Sequence, residues 1–234
     1  MVISLSRLVY AWPGQPPLLQ IDELSLAAGQ SLFVGGPSGS GKSTLLALLS
    51  GVVLPTSGDC QVLDQSMASL SPTARDRLRA DAMGIVFQQF NLLPYLSMME
   101  NVLLPAQVSS LRHQQSCERY GKPSAQALAL FERLGLSGLP PATPVHRLSV
   151  GQQQRVAVAR ALMGAPALII ADEPTSALDD DNRDVFMDLL LGLATEGQAS
   201  VVMVSHDRRL AHRFDQQCWL GPATASSETQ GGSA

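Results

Sequence analysis

The pattern of apolar and polar positions changes character twice along the 234 residues, and each change marks a set of elements. Residues 2–35 read as β-rich, with "QSLFVGG" a buried strand that runs into a glycine turn. "KSTLLALLSG" reads as a short helix closed by Gly51. "SGDCQVL" and "GIVFQQ" are two further strand candidates, separated by the polar, arginine-rich "SLSPTARDRLRADAM". Residues 97–165 read mostly helical, through "SMMENVLLPAQV", "SAQALALFERLGL" and "HRLSVGQQQRVAVARAL", with the proline-rich break "GLPPATPV" before the last. After residue 166 strand and helix alternate again, in "ALIIA", "DDNRDVFMDLLLGLA", "ASVVMVS", "DRRLAHRF" and "QQCWL". Strand–helix alternation flanking a helical stretch predicts an α/β sheet with an α-helical subdomain. The tail "PATASSETQGGSA" is small and polar and is expected to be disordered.

Composition narrows the function classes. Charged residues make up 15% and hydrophobic residues 45%, so the chain is poor in charge and is expected to hide surface against a partner. The net charge of −4 argues against a wide electrostatic footprint for nucleic acid. Cys60, Cys117 and Cys218 are far apart and odd in number, which gives neither a disulfide framework nor metal-ligand spacing and fits a reducing compartment. The start "MVISLSRLVYAW" lacks the basic beginning and apolar length of a signal peptide. No run approaches bilayer length, so work at a membrane would need another protein to hold the chain there.

Three stretches carry chemistry. "GPSGSGKS", residues 36–43, has the spacing G-x-x-x-x-G-K-[ST] between a strand and a helix, the setting a phosphate loop requires. Gly36, Gly39 and Gly41 let the backbone curl so that N–H groups face a phosphate, and the following helix adds the positive end of its dipole. Lys42 supplies a cation for the outer phosphates and Ser43 a hydroxyl for Mg²⁺. Gly36, Pro37, Ser38, Gly39, Ser40, Gly41, Lys42, Ser43 and Thr44 are therefore candidate ligands of ATP or GTP. "ALIIADEP" ends a buried strand with two acids, of which Asp172 suits Mg²⁺ and Glu173 could polarise an attacking water. In "HRLSVGQQQR", Ser149 and Gln152 have capping-box spacing ahead of the apolar positions Val156, Ala159 and Leu162. That helix start holds no acid, thiol or general base, yet it carries three glutamines and an arginine in its first turns.

The phosphate loop, "LSVGQ", "ADEPTSALD" and "VSHD" occur in the order and at the distances of ATP-binding-cassette (ABC) ATPases, which the chain resembles over roughly residues 1–220. The resemblance implies an α/β P-loop NTPase fold of the ABC ATPase type. It would form one domain, with a mixed sheet core, an antiparallel β subdomain and a helical subdomain at about 89–165, followed by a tail at 221–234. It implies ATP and Mg²⁺ as cofactors, with Glu173, His206 and Lys42 as catalytic residues and Ser43, Gln88 and Asp172 at the metal. Gln89 is an alternative to Gln88. Tyr10 matches the aromatic that stacks on adenine, and Trp12 is the alternative there. The helix start at 149 would serve ATP held by a second subunit of a head-to-tail dimer, through Ser149, Val150, Gly151, Gln152 and Asp179 of "SALD". This agrees with the physics, since a capped helix N-terminus is an anion site with no need of an acid or base.

The implied function is an ATP-hydrolysing subunit that drives a separate integral membrane permease from the cytoplasmic side of the inner membrane. A periplasmic or lipoprotein partner would be reached through that permease, and nucleic acid has no part. "PTSGD" and "LSPTARDRLRADAMGIVFQQFNLLPYLSMMENVLLP" resemble the ATPases of lipoprotein-release, macrolide-efflux and division-associated systems. Importer or envelope-regulating ATPases are the alternative within the family, and a soluble ATPase or non-hydrolysing scaffold is the alternative outside transport. "YLSMMENVLLP" is a candidate dock for the permease, with Glu100 its charged residue. Two positions depart from the family. Val150 stands where a glycine is usual, and "SALD" stands where this subgroup more often has Gly-Asn-Leu-Asp.

Overall fold

The computed structural model describes residues 1–176, 178, 180–221 and 228–231, without the side chains of residues 180, 181 and 228–231. In chain order the strands are β1 (Ile3–Ala11), β2 (Pro17–Leu26), β3 (Ser31–Gly35), β4 (Ser57–Val62), β5 (Gln65–Ser66), β6 (Met83–Val86), β7 (Leu168–Asp172), β8 (Ser200–Ser205), β9 (Gln216–Trp219) and β10 (Glu228–Gly231). The helices are α1 (Lys42–Leu49), α2 (Pro72–Ala82), α3 (Met98–Val108), α4 (Ser110–Tyr120), α5 (Pro123–Arg133), α6 (Val150–Leu162) and α7 (Asp180–Glu196). They fall into two compact units, Met1–Arg79 with Ser200–Ala234, and Ala80–Ala199.

The first unit holds an antiparallel sheet in the order β2-β1-β4-β5. In the same unit β3 pairs in parallel with β8 on one side and β9 on the other, and β10 adds to β9 antiparallel. β10 falls within the tail expected to be disordered, of which residues 222–227 and 232–234 lie outside the described residues. The run "SVVMVS" of β8 is buried at every position, as a strand covered on both faces requires. α1 buries Leu45, Leu46, Leu48 and Leu49. The arginine-rich segment left unassigned by its pattern forms α2, which buries no residue. Its arginines grip carbonyls instead, Arg75 reaching Gly51 O at 3.1 Å and Leu70 O at 2.6 Å, and Arg79 reaching Ser50 O at 2.8 Å.

The second unit pairs β6 with β7 in parallel and packs α6 against β6. α6 is its centre, with Val156, Ala157, Val158 and Ala159 all inaccessible to solvent. Apolar residues on successive positions all round a helix mean burial on every side. α3 carries Pro105 inside the helix and begins with a complete capping box between Ser97 and Glu100.

Candidate active site

In the first unit, loop 36–41 leads from the buried strand β3 into α1. Gly39 and Gly41 have φ of 80° and 91°, which glycine adopts without steric cost. Gly41 is the N-cap of α1, whose first turn has neither a side-chain cap nor an acid. The leading N–H groups and positive dipole end are therefore turned to whatever the loop encloses. Lys42 folds over the loop, its Nζ donating to Gly36 O at 2.9 Å and Pro37 O at 3.0 Å. Ser40 is buried, and its hydroxyl has no hydrogen-bond partner among the described residues. A glycine-curled loop with an orphaned hydroxyl, a lysine and an uncapped helix end fits a phosphate. Pro37, Ser38 and Gly39 are exposed, as is Ser43, and Thr44 is half-buried beside it in the first turn.

β8 lies alongside β3 with Ser205 opposite Gly35. The phosphate loop and His206, which is exposed, thus leave adjacent parallel strands at the same carboxyl edge, where ligands of α/β sheets bind. Asp207 follows, its N–H donating to Ser205 Oγ at 3.1 Å.

In the second unit, β7 delivers Asp172 as its last residue, and Glu173 begins the turn beyond it. Both are half-buried. Glu173 has φ of 46°, an uncommon conformation for a residue with a side chain and one that clusters at functional sites. α6 begins as its spacing predicts: Ser149 Oγ accepts from Gln152 N–H at 3.3 Å, and Gln152 Oε1 accepts from Ser149 N–H at 2.9 Å. Ser149 and Val150 are exposed, and Val150 keeps 52% of its surface. Beside this helix end is a cavity of about 380 Å³ lined by Ser149, Gly151, Gln152, Gln154, Asn182 and Phe186, among others. Asp179 lies outside the described residues.

The three glutamines have separate tasks. Gln152 closes the capping box, Gln153 Nε2 donates to Leu148 O at 3.0 Å, and the buried Gln154 donates to Pro174 O at 2.5 Å. Gln154 thus ties α6 to the residue after Glu173. The pattern signalled it only as a polar residue on the helix face that Ala157, Val158 and Ala161 bury. Two more residues were missed. Arg160 donates to Asn91 O at 2.7 Å and Phe90 O at 2.6 Å, and burial pushes its guanidinium below the ordinary value. Asn101, fully buried in α3, accepts from Leu93 N–H at 2.8 Å and donates to Leu93 O at 3.1 Å. Together they hold the segment after Gln88 to α6 and α3.

Three expectations change in detail. Gln88 does not end a strand: β6 stops at Val86, and Gln88 and Gln89 are both exposed in the turn beyond. Tyr10 is buried, set edge-on to Trp12 at a centroid distance of 5.2 Å, while Trp12 is exposed. The cause is a bulge in β1, where Arg7 has φ of 46° and the register with β4 shifts between Ser6 and Val9. Burial therefore moves from Ile3 and Leu5 to Leu8 and Tyr10, turning Tyr10 to the core side. Glu100 is engaged in its own helix cap, accepting from Ser97 N–H and Oγ, each at 2.7 Å. Those bonds hold its carboxyl below the ordinary range, so it stays ionised while it caps its own helix.

An α/β fold whose strand–loop–helix builds this phosphate cradle defines a P-loop nucleotide-binding protein. A family model described as ABC transporter matches residues 19–176, and the chain belongs to that family. It is 41% identical over 194 residues to the lipoprotein-releasing system ATP-binding protein LolD of Xanthomonas axonopodis pv. citri, covering 83% of this chain and 76% of that one. It is 44% identical over 195 residues to the ABC transporter ATP-binding protein YbbA of Escherichia coli, covering 83% and 82%. Among solved structures it superposes on a dimeric form of the bacterial ABC transporter cassette MJ0796 with a TM-score of 0.84 and 33% identity, covering 99% of this chain and 100% of that one. A post-hydrolysis state of MJ0796 bound to ADP and phosphate gives 0.83 and 32%, with the same coverage.

Proposed function

We propose that this chain is the ATPase subunit of a lipoprotein-release type transporter, working as a head-to-tail pair beneath a separate membrane permease. One observation carries the reading. Among the described residues an uncapped helix end stands behind the phosphate loop, at Gly41, and a self-capped helix end stands exposed at Ser149. The first suits a nucleotide held by the same chain. The second has no loop or lysine of its own and suits the phosphate of ATP held by a second copy. The LolD relatives and the dimeric MJ0796 cassette support the pairing and the permease.

In this reading the loop 36–43 binds the phosphates and Lys42 neutralises charge on the outer two. Glu173 accepts a proton from the attacking water, His206 meets the γ-phosphate, and Trp12 is the exposed ring available to adenine. Most of the rate comes from positioning and electrostatics rather than covalent chemistry. Magnesium, by the family pattern, would take Ser43, Gln88 and Asp172. Among the described residues no group of three His, Cys, Asp or Glu side chains is gathered as a metal cage. A hydroxyl, an amide and one carboxylate suit Mg²⁺, which keeps phosphate oxygens and water as its other ligands. No helix among the described residues is long and apolar enough to cross a membrane. In this reading the permease holds the chain at the cytoplasmic face.

The test is purification of the tagged chain from detergent-solubilised membranes. An integral membrane protein should copurify in fixed ratio, and its presence should raise an ATPase activity that Lys42→Ala abolishes. A chain that hydrolyses ATP but is recovered wholly without a membrane partner overturns the transporter reading.

A further inference from the structure

Gly35 and Trp219 form a pair to which the nucleotide site assigns no task. Gly35 ends β3, directly before the phosphate loop, and stands opposite Trp219 of β9. A Cβ on Gly35 would lie 2.1 Å from Trp219 Cζ3 and 2.3 Å from its Cε3, so the indole occupies the space of a side chain at 35. A glycine inside a strand often marks such a close approach. Phe33, on the same face of β3, packs its ring 5.6 Å from Trp219 and 5.6 Å from Phe214. Leu220, next to Trp219, donates its N–H to Gly35 O at 2.8 Å. The end of β9 is therefore seated against the root of the phosphate loop by both ring and backbone.

The face of the same indole carries a cation. Arg208 places its guanidinium carbon 4.8 Å from the ring centroid. Arg208 is two residues beyond His206 and opens the 3₁₀ turn Arg208–Arg213, whose N-cap is Asp207. The neighbouring Arg209 is engaged with Asp207 instead, at 3.0 Å from Nε to Oδ1 and 3.0 Å from Nη2 to Oδ2. Arg209 thus closes on Asp207 of its own segment, while Arg208 leads back through Trp219 to the strand that enters the phosphate loop.

We propose that Trp219 is a positioning residue for His206. Its ring, seated in the gap at Gly35, refers the position of the phosphate loop to Arg208 and so to the backbone that presents His206. The inference rests on the reading above, in which the loop holds the γ-phosphate and His206 meets it. A ring that only filled space could be exchanged for any side chain that fills the gap, whereas a positioning ring must also carry Arg208.

The experiment measures kcat, KM for ATP and melting temperature for the full chain, with or without its copurifying partner. Arg208→Ala, at an exposed position, should lower kcat about two- to fivefold, the factor of an exposed cation–π contact, with KM nearly unchanged. Trp219→Phe keeps an aromatic face and should stay close to the parent. Trp219→Leu should match Arg208→Ala in kcat, and adding Arg208→Ala to it should cost nothing further. The exchange Gly35→Val with Trp219→Leu should refill the gap and recover melting temperature while leaving kcat low. Parental kcat in Arg208→Ala, or recovery of kcat together with melting temperature in the exchange, overturns the positioning role. Equal hydrolysis by the parent and Lys42→Ala instead overturns the nucleotide reading beneath it.

Discussion

Arg112→Ala should be among the most destabilising single substitutions in the second unit. Arg112 lies in α4, is 1% exposed, and is the largest fully buried side chain among the described residues. Its guanidinium donates to Asp81 O at 3.3 Å, to Met163 O at 3.1 Å, and closely to Met83 O. Ser109, the N-cap of α4, donates its hydroxyl to Asp81 Oδ1 at 2.5 Å. Gly164 makes room for the arginine, since a Cβ there would lie 2.4 Å from Arg112 Cβ. One buried cation therefore joins α4 to the start of β6 and to the C-cap of α6. Those two elements lead at their other ends to Gln88 and away from Ser149. Burial pushes the guanidinium down to about 10, so it stays charged at neutral pH. Truncation leaves two deeply buried carbonyls without donors, at about 1–2 kcal/mol each, and removes the packing of the aliphatic stem. Relief from desolvating the cation offsets part of this, and a net loss of about 3–4 kcal/mol is the expectation. For a chain of this size that is a fall in melting temperature of about 6–15 °C. Circular dichroism melts of parent, Arg112→Ala and Arg112→Lys would measure it, with lysine only a partial rescue because it lacks the planar fork. A fall below about 2 °C for Arg112→Ala would refute the reasoning, since the carbonyls would then be satisfied some other way.

Other predictions concern single positions. Val150→Gly should retain ATP hydrolysis and lower stability by only about 0.4 kcal/mol, because the valine is exposed at the first helical position and the backbone N–H is unchanged; a collapse of turnover would contradict this. Cys60 and Cys218 are buried, with their thiols pushed up to about 12 and about 11, so a chromogenic disulfide reagent at pH 8 should find Cys117 alone in the native chain and all three thiols in denaturant. Their folded values lie above the ordinary 9.0, so their contribution to stability is whole below pH 9 and lost as pH rises through 11 and 12. Melting temperature should therefore fall over that window, and less so in Cys60→Ala with Cys218→Ala. Glu100→Lys should lower melting temperature by breaking the α3 capping box, with Glu100→Gln milder because its amide can still reach Ser97; equal melting of all three chains would refute the cap.

Where a function is local in sequence, the pattern carried it. The phosphate loop needs only glycines, a lysine and the strand–helix setting, all within residues 31–49. The Ser149–Gln152 box likewise spans four residues, and Ser97 and Glu100 carry the same spacing, which only the structure identified as a second box. What depended on partners distant in the chain was not. Tyr10 faces the core because of a bulge at Arg7, and bulges have no strong local signature. Arg112 looks like an ordinary surface arginine in the polar "SLRHQQSCERY", and only its contacts at Met83 and Met163 show that it is buried. Gln154, Arg160 and Asn101 share that character: polar residues on buried helix faces, each satisfied by a carbonyl the alternation of apolar positions cannot place. Gln88 lies beyond the strand end at Val86, in a turn followed by Phe90 and Asn91 in left-handed conformations, with φ of 59° and 47°, none of which the apolar pattern marks.

The central claim, ATP hydrolysis by a pair of chains each lending its α6 end to the other's nucleotide, is tested most directly by Glu173→Gln. Light scattering after size-exclusion chromatography, with and without Mg–ATP, would report mass while phosphate release reports turnover. The expected result is ATP-dependent doubling of mass with turnover reduced by about 10²–10⁴-fold, the range for removing a general base. A Glu173→Gln chain that stays single in saturating ATP, or hydrolyses at the parental rate, would contradict it.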